Sequence, residues 1–193
     1  MPAFPPILLL RHGQTGWNAA GRVQGQMESE LTETGRAHAA RQGEILAGLG
    51  DVLESHALYC SPLRRTRQTA EIALGPAFAR VRFDDRLKEV HAGEWQGWLR
   101  EDIPARWPEF SRHPNSLERF TSAPGGESLE DLQARASAFL ESLDGPSVIV
   151  AHGIINAVMR GLILGLTRAE MGRLKPEQGV VLRLEAGTET TLR

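Results

Sequence analysis

The sequence predicts an α/β fold, a three-layer α/β/α sandwich built on a mostly parallel central sheet. Three observations predict it. Short apolar runs of strand length stand at 7–10, 57–60, 148–151 and 180–184. The stretches between them are long and carry helical periodicity, as parallel strands joined by crossover helices require. Finally, 193 residues suit a single domain, 1–193, with enough interior to need neither disulfides nor a structural metal.

The first strand, Ile7-Leu8-Leu9-Leu10, stops abruptly at Arg11-His12-Gly13, a charged pair and a glycine where a buried strand gives way to a loop. A helix is expected from about Thr32 to Leu49, ending near Gly50. The second strand leads into a helix over about 63–74, with Leu63, Thr66, Ala70 and Ala73 on one face and Gly75-Pro76 as its stop. Segment 98–126 is rich in arginine, proline and tryptophan, and its periodicity is broken at Pro104, Pro108, Pro114 and Pro124. It reads as an excursion with short helices, either a lid and specificity element or solvated decoration. After it, Leu129, Leu132, Ala136, Phe139, Leu140 and Leu143 fall on one helical face, with Ser128-Leu129-Glu130-Asp131 as an N-terminal capping box. Asp144-Gly145-Pro146 ends that helix. Ser147-Val148-Ile149-Val150-Ala151 is the next strand and runs into a second His-Gly pair, His152-Gly153.

Composition narrows the function classes. The only cysteine, Cys60, has no partner within the chain, and Met1-Pro2-Ala3-Phe4-Pro5-Pro6 is too short and proline-rich for a signal peptide. Both point to a reducing, cytoplasmic setting. No apolar run approaches the ~20 residues that span a bilayer. The formal net charge of −2 gives no reason to expect a nucleic-acid or membrane partner.

Residues just past the carboxyl ends of parallel strands meet in space, so His12 and His152 are candidates for one site. A histidine at a strand end is more often structural, but the neighbours of His12 change that reading. They form a glycine-spaced polar loop, Thr15, Trp17, Asn18, Gly21, Arg22, Gln24 and Gly25, able to offer N–H groups and amides to an oxyanion. Arg11 and Arg65 supply planar forks that match phosphate oxygens, whereas Arg64 and Arg67 read as a solvated helix face. A neutral imidazole can attack phosphorus and hold it covalently. His12 is then the nucleophile, kept neutral by flanking arginines that also balance the transferring charge, and His152 donates to the transferring oxygens. The leaving alkoxide needs a proton from a carboxylic acid. Glu89 is the best candidate, and Glu94, in the same glycine-rich loop, is nearly as good on local spacing. Asp84-Asp85 is the only close aspartate pair, and no P-loop lysine motif is present. No metal or other cofactor is therefore expected.

Taken together, these motifs resemble the histidine phosphatase superfamily, the phosphoglycerate-mutase-like enzymes, across nearly the whole chain. The resemblance rests on Leu10-Arg11-His12-Gly13-Gln14-Thr15 with Trp17-Asn18, Gly21-Arg22, Gln24-Gly25, and Leu31-Thr32 with Gly35. It extends through Ser61-Pro62-Leu63-Arg64-Arg65-Thr66, Gln68-Thr69-Ala70, Glu89, Gly93-Glu94-Trp95-Gln96-Gly97, Pro124-Gly125-Gly126-Glu127-Ser128 and Val150-Ala151-His152-Gly153. It implies a phosphoglycerate-mutase-like fold and a phosphohistidine at His12. Arg11, Arg65 and His152 with Gly153 would complete the phosphate pocket, Glu89 rather than Glu94 would donate the proton, and Asn18, with Gln24 and Gly25, would contact phosphate. Three positions depart from the family pattern. Glu28-Ser29-Glu30-Leu31-Thr32 lacks a proline, Ala157 stands where an arginine is common with Arg160 as its nearest substitute, and His91 replaces an acidic residue.

The loop motifs resemble the small phosphatase branch, so the expected function is hydrolysis of a small phosphorylated metabolite. A cofactor-dependent phosphoglycerate mutase is the alternative. A non-catalytic phosphate-binding module is disfavoured, since neither nucleophile nor acid is missing. Arg100, Arg106, Arg112, His113 and Arg119 in the excursion are candidate contacts for a second anionic group. The sequence leaves the oligomeric state open.

Overall fold

The computed structural model describes residues 4–193, so the start of the proline-rich segment, 1–3, lies outside the described residues. Among the described residues six strands form one sheet. They are β1 (Ile7–Arg11), β2 (Ala57–Cys60), β3 (Arg82–Phe83), β4 (Ser147–Ala151), β5 (Val181–Glu185) and β6 (Thr188–Leu192), in the order β3-β2-β4-β1-β5-β6. The first four are mutually parallel; β5 runs antiparallel to β1, and β6 to β5. All four apolar runs are strands. The two additional strands lie at the edges: β3 is two exposed residues and β6 is threonine-rich with no apolar run.

Alternation along β1 divides the interior in two. Leu8 and Leu10 face helices α1 (Glu33–Ala47) and α2 (Arg64–Leu74), packing with Leu46, Ala70, Ala73 and the β4 residues Val148 and Val150. Ile7 and Leu9 point the other way with Ile149, toward α3 (Leu129–Glu141) and α4 (Gly153–Leu164), where Leu132, Phe139, Ile155 and Val158 cover them. Helices on both faces complete the three-layer sandwich. None of the described helices is long and apolar enough to cross a membrane.

Caps set the helix starts. Thr32 accepts the Gly35 N–H at the head of α1. At α3, Ser128 Oγ accepts the Asp131 N–H at 3.1 Å, but the return bond expected of a capping box is replaced by Ser128 Oγ donating to the Asp131 carboxylate at 2.7 Å. Aspartate is one methylene shorter than the Glu or Gln that reaches back to the cap backbone. Helix α4 was not evident from periodicity because every residue from Gly153 to Gly161 is buried, and a helix covered all round has no polar face to set a 3.6-residue period.

The excursion is not solvated decoration. Its helical turns Ile103–Arg106, Pro108–Arg112 and Ser116–Phe120 bury Ile103, Trp107, Phe110, Leu117 and Phe120 in the core layer that contains Trp95 and Leu132.

Candidate active site

Three adjacent parallel strands, β2, β4 and β1, end side by side and deliver Ser61, His152 and His12 from the next position of each. The ladder continues one step past the strands: His12 N–H donates to Ala151 at 3.1 Å, and Ser61 N–H to Val150 at 3.0 Å. The rings of His12 and His152 lie edge to face with centroids 5.2 Å apart. Close backbone packing leaves no room for side chains beside them. A Cβ on Gly13 would come within 2.1 Å of the Gly35 carbonyl oxygen, and one on Gly35 within 1.9 Å of that of Gln14.

Arg11, His12, Asn18, Gln24, Gly25, Arg65 and Glu89 line a cleft of about 420 Å³, measured out to its open mouth. His12 is buried, and its Nδ1 lies 2.7 Å from the Gly13 carbonyl oxygen. The carbonyl accepts, so the proton sits on Nδ1 and the lone pair on Nε2. Burial first, then the charges of Arg65 and Arg11, push its pKa well below the ordinary histidine value. The ring is neutral near pH 7 with one nitrogen uncommitted.

His152 is arranged differently. Its Nδ1 accepts from Arg65 Nε at 3.1 Å and its Nε2 lies 2.7 Å from Ser61 Oγ, so the proton is on Nε2 and both nitrogens are committed. Burial, then Arg65, His12 and Arg11, also hold this pKa well below the ordinary value. Neither His152 nor Gly153 is among the residues that line the cleft. His152 instead orients Arg65, while Gly153 packs under Arg11, whose Nε would lie 3.3 Å from a Cβ there. Sequence reasoning gave Ser61 no role, although it is quoted in a motif. Its hydroxyl accepts the Nε2 proton of the tautomer that the Arg65 bond to Nδ1 fixes.

Arg65 is 1% exposed. Besides His152 it donates from Nη1 to the Met27 carbonyl at 2.9 Å and from Nη2 to that of Gly25 at 2.7 Å. Five N–H groups make three such bonds and leave two for a guest. Burial brings the guanidinium pKa down to about 10, so it remains charged at neutral pH. Asn18 is locked in a reciprocal box with Thr15: its N–H donates to Thr15 Oγ1 at 3.1 Å and its Oδ1 accepts from Thr15 N–H at 3.2 Å. Its Nδ2 is left to donate.

The Glu89 carboxylate sits at the head of α4, where His152 gives no side-chain cap. Oε1 accepts N–H groups from Val90, Ile154 and Ile155 at 3.1–3.2 Å, and Oε2 accepts from Ile154 at 3.1 Å. Glu94 is exposed and does not line the cleft.

The three departures have structural answers. The 28–31 loop is tied to α2 without its proline, through Arg64 N–H to Glu28 at 2.9 Å, Leu31 N–H to Gln68 at 3.0 Å and the Arg64–Glu30 ion pair. Arg160 is not a stand-in for an arginine at position 157. It is paired with Glu189 at 2.6 Å and donates to the Lys175 carbonyl, away from the cleft. His91 Nδ1 accepts the Gly93 N–H at 3.2 Å and braces its own loop. Of the excursion candidates Arg100 alone lines the cleft, together with Phe120. Arg106 stacks over Trp107 and Arg119 binds the Phe110 and His113 carbonyls; these two, Arg112 and His113 are not in the lining. The apolar lining residues Val23, Val90, Ala92 and Ile154 carried no sequence signal of a site. Among the described residues no group of three or more His, Cys, Asp or Glu side chains is placed to hold a metal ion.

Comparison with known proteins gives a consistent result. The profile described as "Histidine phosphatase superfamily (branch 1)" matches residues 7–191. A glucosyl-3-phosphoglycerate phosphatase of Mycolicibacterium vanbaalenii is 36% identical over 174 residues, covering 83% of this chain and 74% of its own. A probable phosphoglycerate mutase of Salmonella paratyphi C is 33% identical over 184 residues, covering 93% and 84%. The solved structure of a mycobacterial glucosyl-3-phosphoglycerate phosphatase complexed with VO3 superposes with a TM-score of 0.75 at 31% identity, covering 93% of this chain and 92% of that one.

Proposed function

The chain belongs to the histidine phosphatase superfamily, and from that premise we propose that it is a phosphomonoester phosphatase working through a phosphohistidine at His12. The observation that carries this reading is the uncommitted Nε2 of a neutral, buried His12 between two arginines. Nε2 attacks phosphorus, a P–N bond forms and the P–O bond to the leaving group breaks. Arg11, Arg65 and Asn18 Nδ2 hold the three non-bridging oxygens and balance their charge. Glu89 passes a proton to the departing alkoxide. Oε2, with one N–H partner against three on Oε1, is the oxygen able to carry it. Water then attacks the phosphohistidine, the Glu89 carboxylate takes its proton, and inorganic phosphate leaves with the enzyme restored.

A small phosphorylated sugar or sugar acid is the proposed substrate class. The names of the mycobacterial relatives support it, as does Arg100 in the cleft beside the phosphate groups. The arginines support turnover without a divalent metal. The whole chain, 1–193, is taken as one domain, and the lone, buried Cys60 supports a cytoplasmic setting.

Quenching in base during turnover of a ³²P-labelled ester, followed by peptide mapping, tests the reading. Label on the peptide containing His12 is expected; label absent there, with turnover intact, overturns it. The Salmonella relative favours a second reading as a mutase. Efficient isomerisation of phosphoglycerate with little phosphate release would select that reading.

A further inference from the structure

Beyond Leu10 and Val181, the last paired residues of β1 and β5, the two strands separate so that Arg11 and His12 can leave the sheet. At this strand end three successive carbonyls, those of Leu10, Arg11 and His12, each accept from a side-chain amide of a different element. Leu10 accepts from Asn156 Nδ2 of α4 at 3.1 Å, Arg11 from Gln42 Nε2 of α1 at 3.0 Å, and His12 from Gln178 Nε2 of the loop before β5 at 2.8 Å. Gln42 also donates to Val180 at 2.9 Å, so its amide bridges the two carbonyls that face each other where the next ladder pair would form. Gln42 Oε1 and Asn156 Oδ1 are buried with no partner. A leucine or methionine would fill either space without orphaning an acceptor, so packing alone does not account for these residues; their donors do.

We infer that Gln42, Asn156 and Gln178 are positioning residues that fix the Leu10–Arg11–His12 backbone and thereby aim His12 Nε2 into the cleft. The peptide between His12 and Gly13 is the lever. Gln178 holds its C=O, and Thr69 Oγ1 accepts its N–H at 3.0 Å. The next carbonyl, that of Gly13, takes the Nδ1 proton. If the first carbonyl swings, the second moves and the ring loses the bond that sets its tautomer. The Gln178 loop also grips the neighbouring cation, since the Pro176 carbonyl accepts from the Arg11 guanidinium. Nucleophile and phosphate ligand are held by one segment.

The inference rests on His12 as nucleophile, and the experiment separates the two. Gln178→Met removes the donor at constant length in a half-buried loop. Gln42→Met removes a second donor from the opposite helix. Histidine side-chain ¹⁵N spectra of the intact enzyme, with His12 assigned by its loss in His12→Gln, are read beside kcat and KM on p-nitrophenyl phosphate. Both variants are expected to weaken the Nδ1-protonated signature of His12 and to lower kcat by roughly 10- to 100-fold with KM within about twofold, as for a misdirected nucleophile. A His12 spectrum unchanged from wild type in both folded variants overturns the inference, whatever the rate does. A disturbed ring with undiminished kcat leaves the positioning role standing and overturns His12 as nucleophile.

Discussion

His12 and His152 occupy equivalent places, each one residue past a buried parallel strand and one residue before a glycine, yet the structure gives them different hydrogen-bond partners. Both are buried, and in both burial first and then the charges of Arg65 and Arg11 lower the pKa. They differ in where the proton goes. His12 gives its Nδ1 proton to the carbonyl of the next residue and keeps Nε2 for the cleft. His152 spends one nitrogen on Arg65 and the other on Ser61. The His-Gly pair is therefore a way of bringing an imidazole to a strand end; the partners around it decide whether a nitrogen is left free for the cleft.

That contrast predicts unequal losses. His12→Ala should lower turnover on the order of 10⁴- to 10⁶-fold, as removal of a covalent nucleophile does. His152→Ala should cost about 10²- to 10³-fold, the scale for one misplaced oxyanion ligand, and should still label at His12. Equal losses, or label lost equally in both, would break the comparison.

Glu89→Gln sharpens it from the acid's side. On an alkyl phosphate kcat/KM should fall by ~10²- to 10⁴-fold, whereas p-nitrophenyl phosphate, whose phenolate needs little protonation, should lose far less. A uniform loss would make Glu89 only the cap of α4, and a larger loss in Glu94→Gln would move the role to that residue.

The pH dependence of stability follows from both rings. In the unfolded chain each titrates near 6.5; in the native protein each has a lowered pKa. Below about pH 6.5 the unfolded state thus binds protons that the native state does not, and stability falls as pH drops. The loss is up to about 1.4 kcal/mol per pH unit per ring. Above that range the two rings contribute no slope. Urea unfolding between pH 5 and 7 should show it, and His12→Gln should remove one proton's share. A slope unchanged by that variant would mean that His12 is charged in the native protein.

The smallest effect is expected at Cys60, next to Ser61 but outside the chemistry. Burial pushes its thiol up to about 12, so Cys60→Ser should leave turnover within about twofold and the native thiol should resist iodoacetamide. A large loss in folded Cys60→Ser would show a role for sulfur.

The sequence made the strand-end histidines and Arg11 legible because their signal is local, an apolar run broken by charge; on local spacing Glu94 was nearly as good as Glu89, and the family resemblance chose between them. Helix α4 was hidden by its complete burial, and β6 by its polar threonines. The excursion was left open between a lid and solvated decoration because prolines break it into turns too short to show a period, although its aromatic residues fill the core. Commitment of His152 to Ser61, and of Glu89 to the α4 N–H groups, depends on contacts between distant segments, which no local pattern encodes.

The central position of β1 also has a consequence in time. Its neighbours are β4 and β5, and the bond from Asn156 to Leu10 joins residues 146 apart in the chain. During synthesis the segment bearing His12 emerges long before the strands that flank it. Until about residue 185 is available, β1 lacks one or both partners and the arginines have no fixed geometry around the ring. Such long-range pairing is slow to form, and it delays the fixing of the His12 ring until the rest of the sheet has been made.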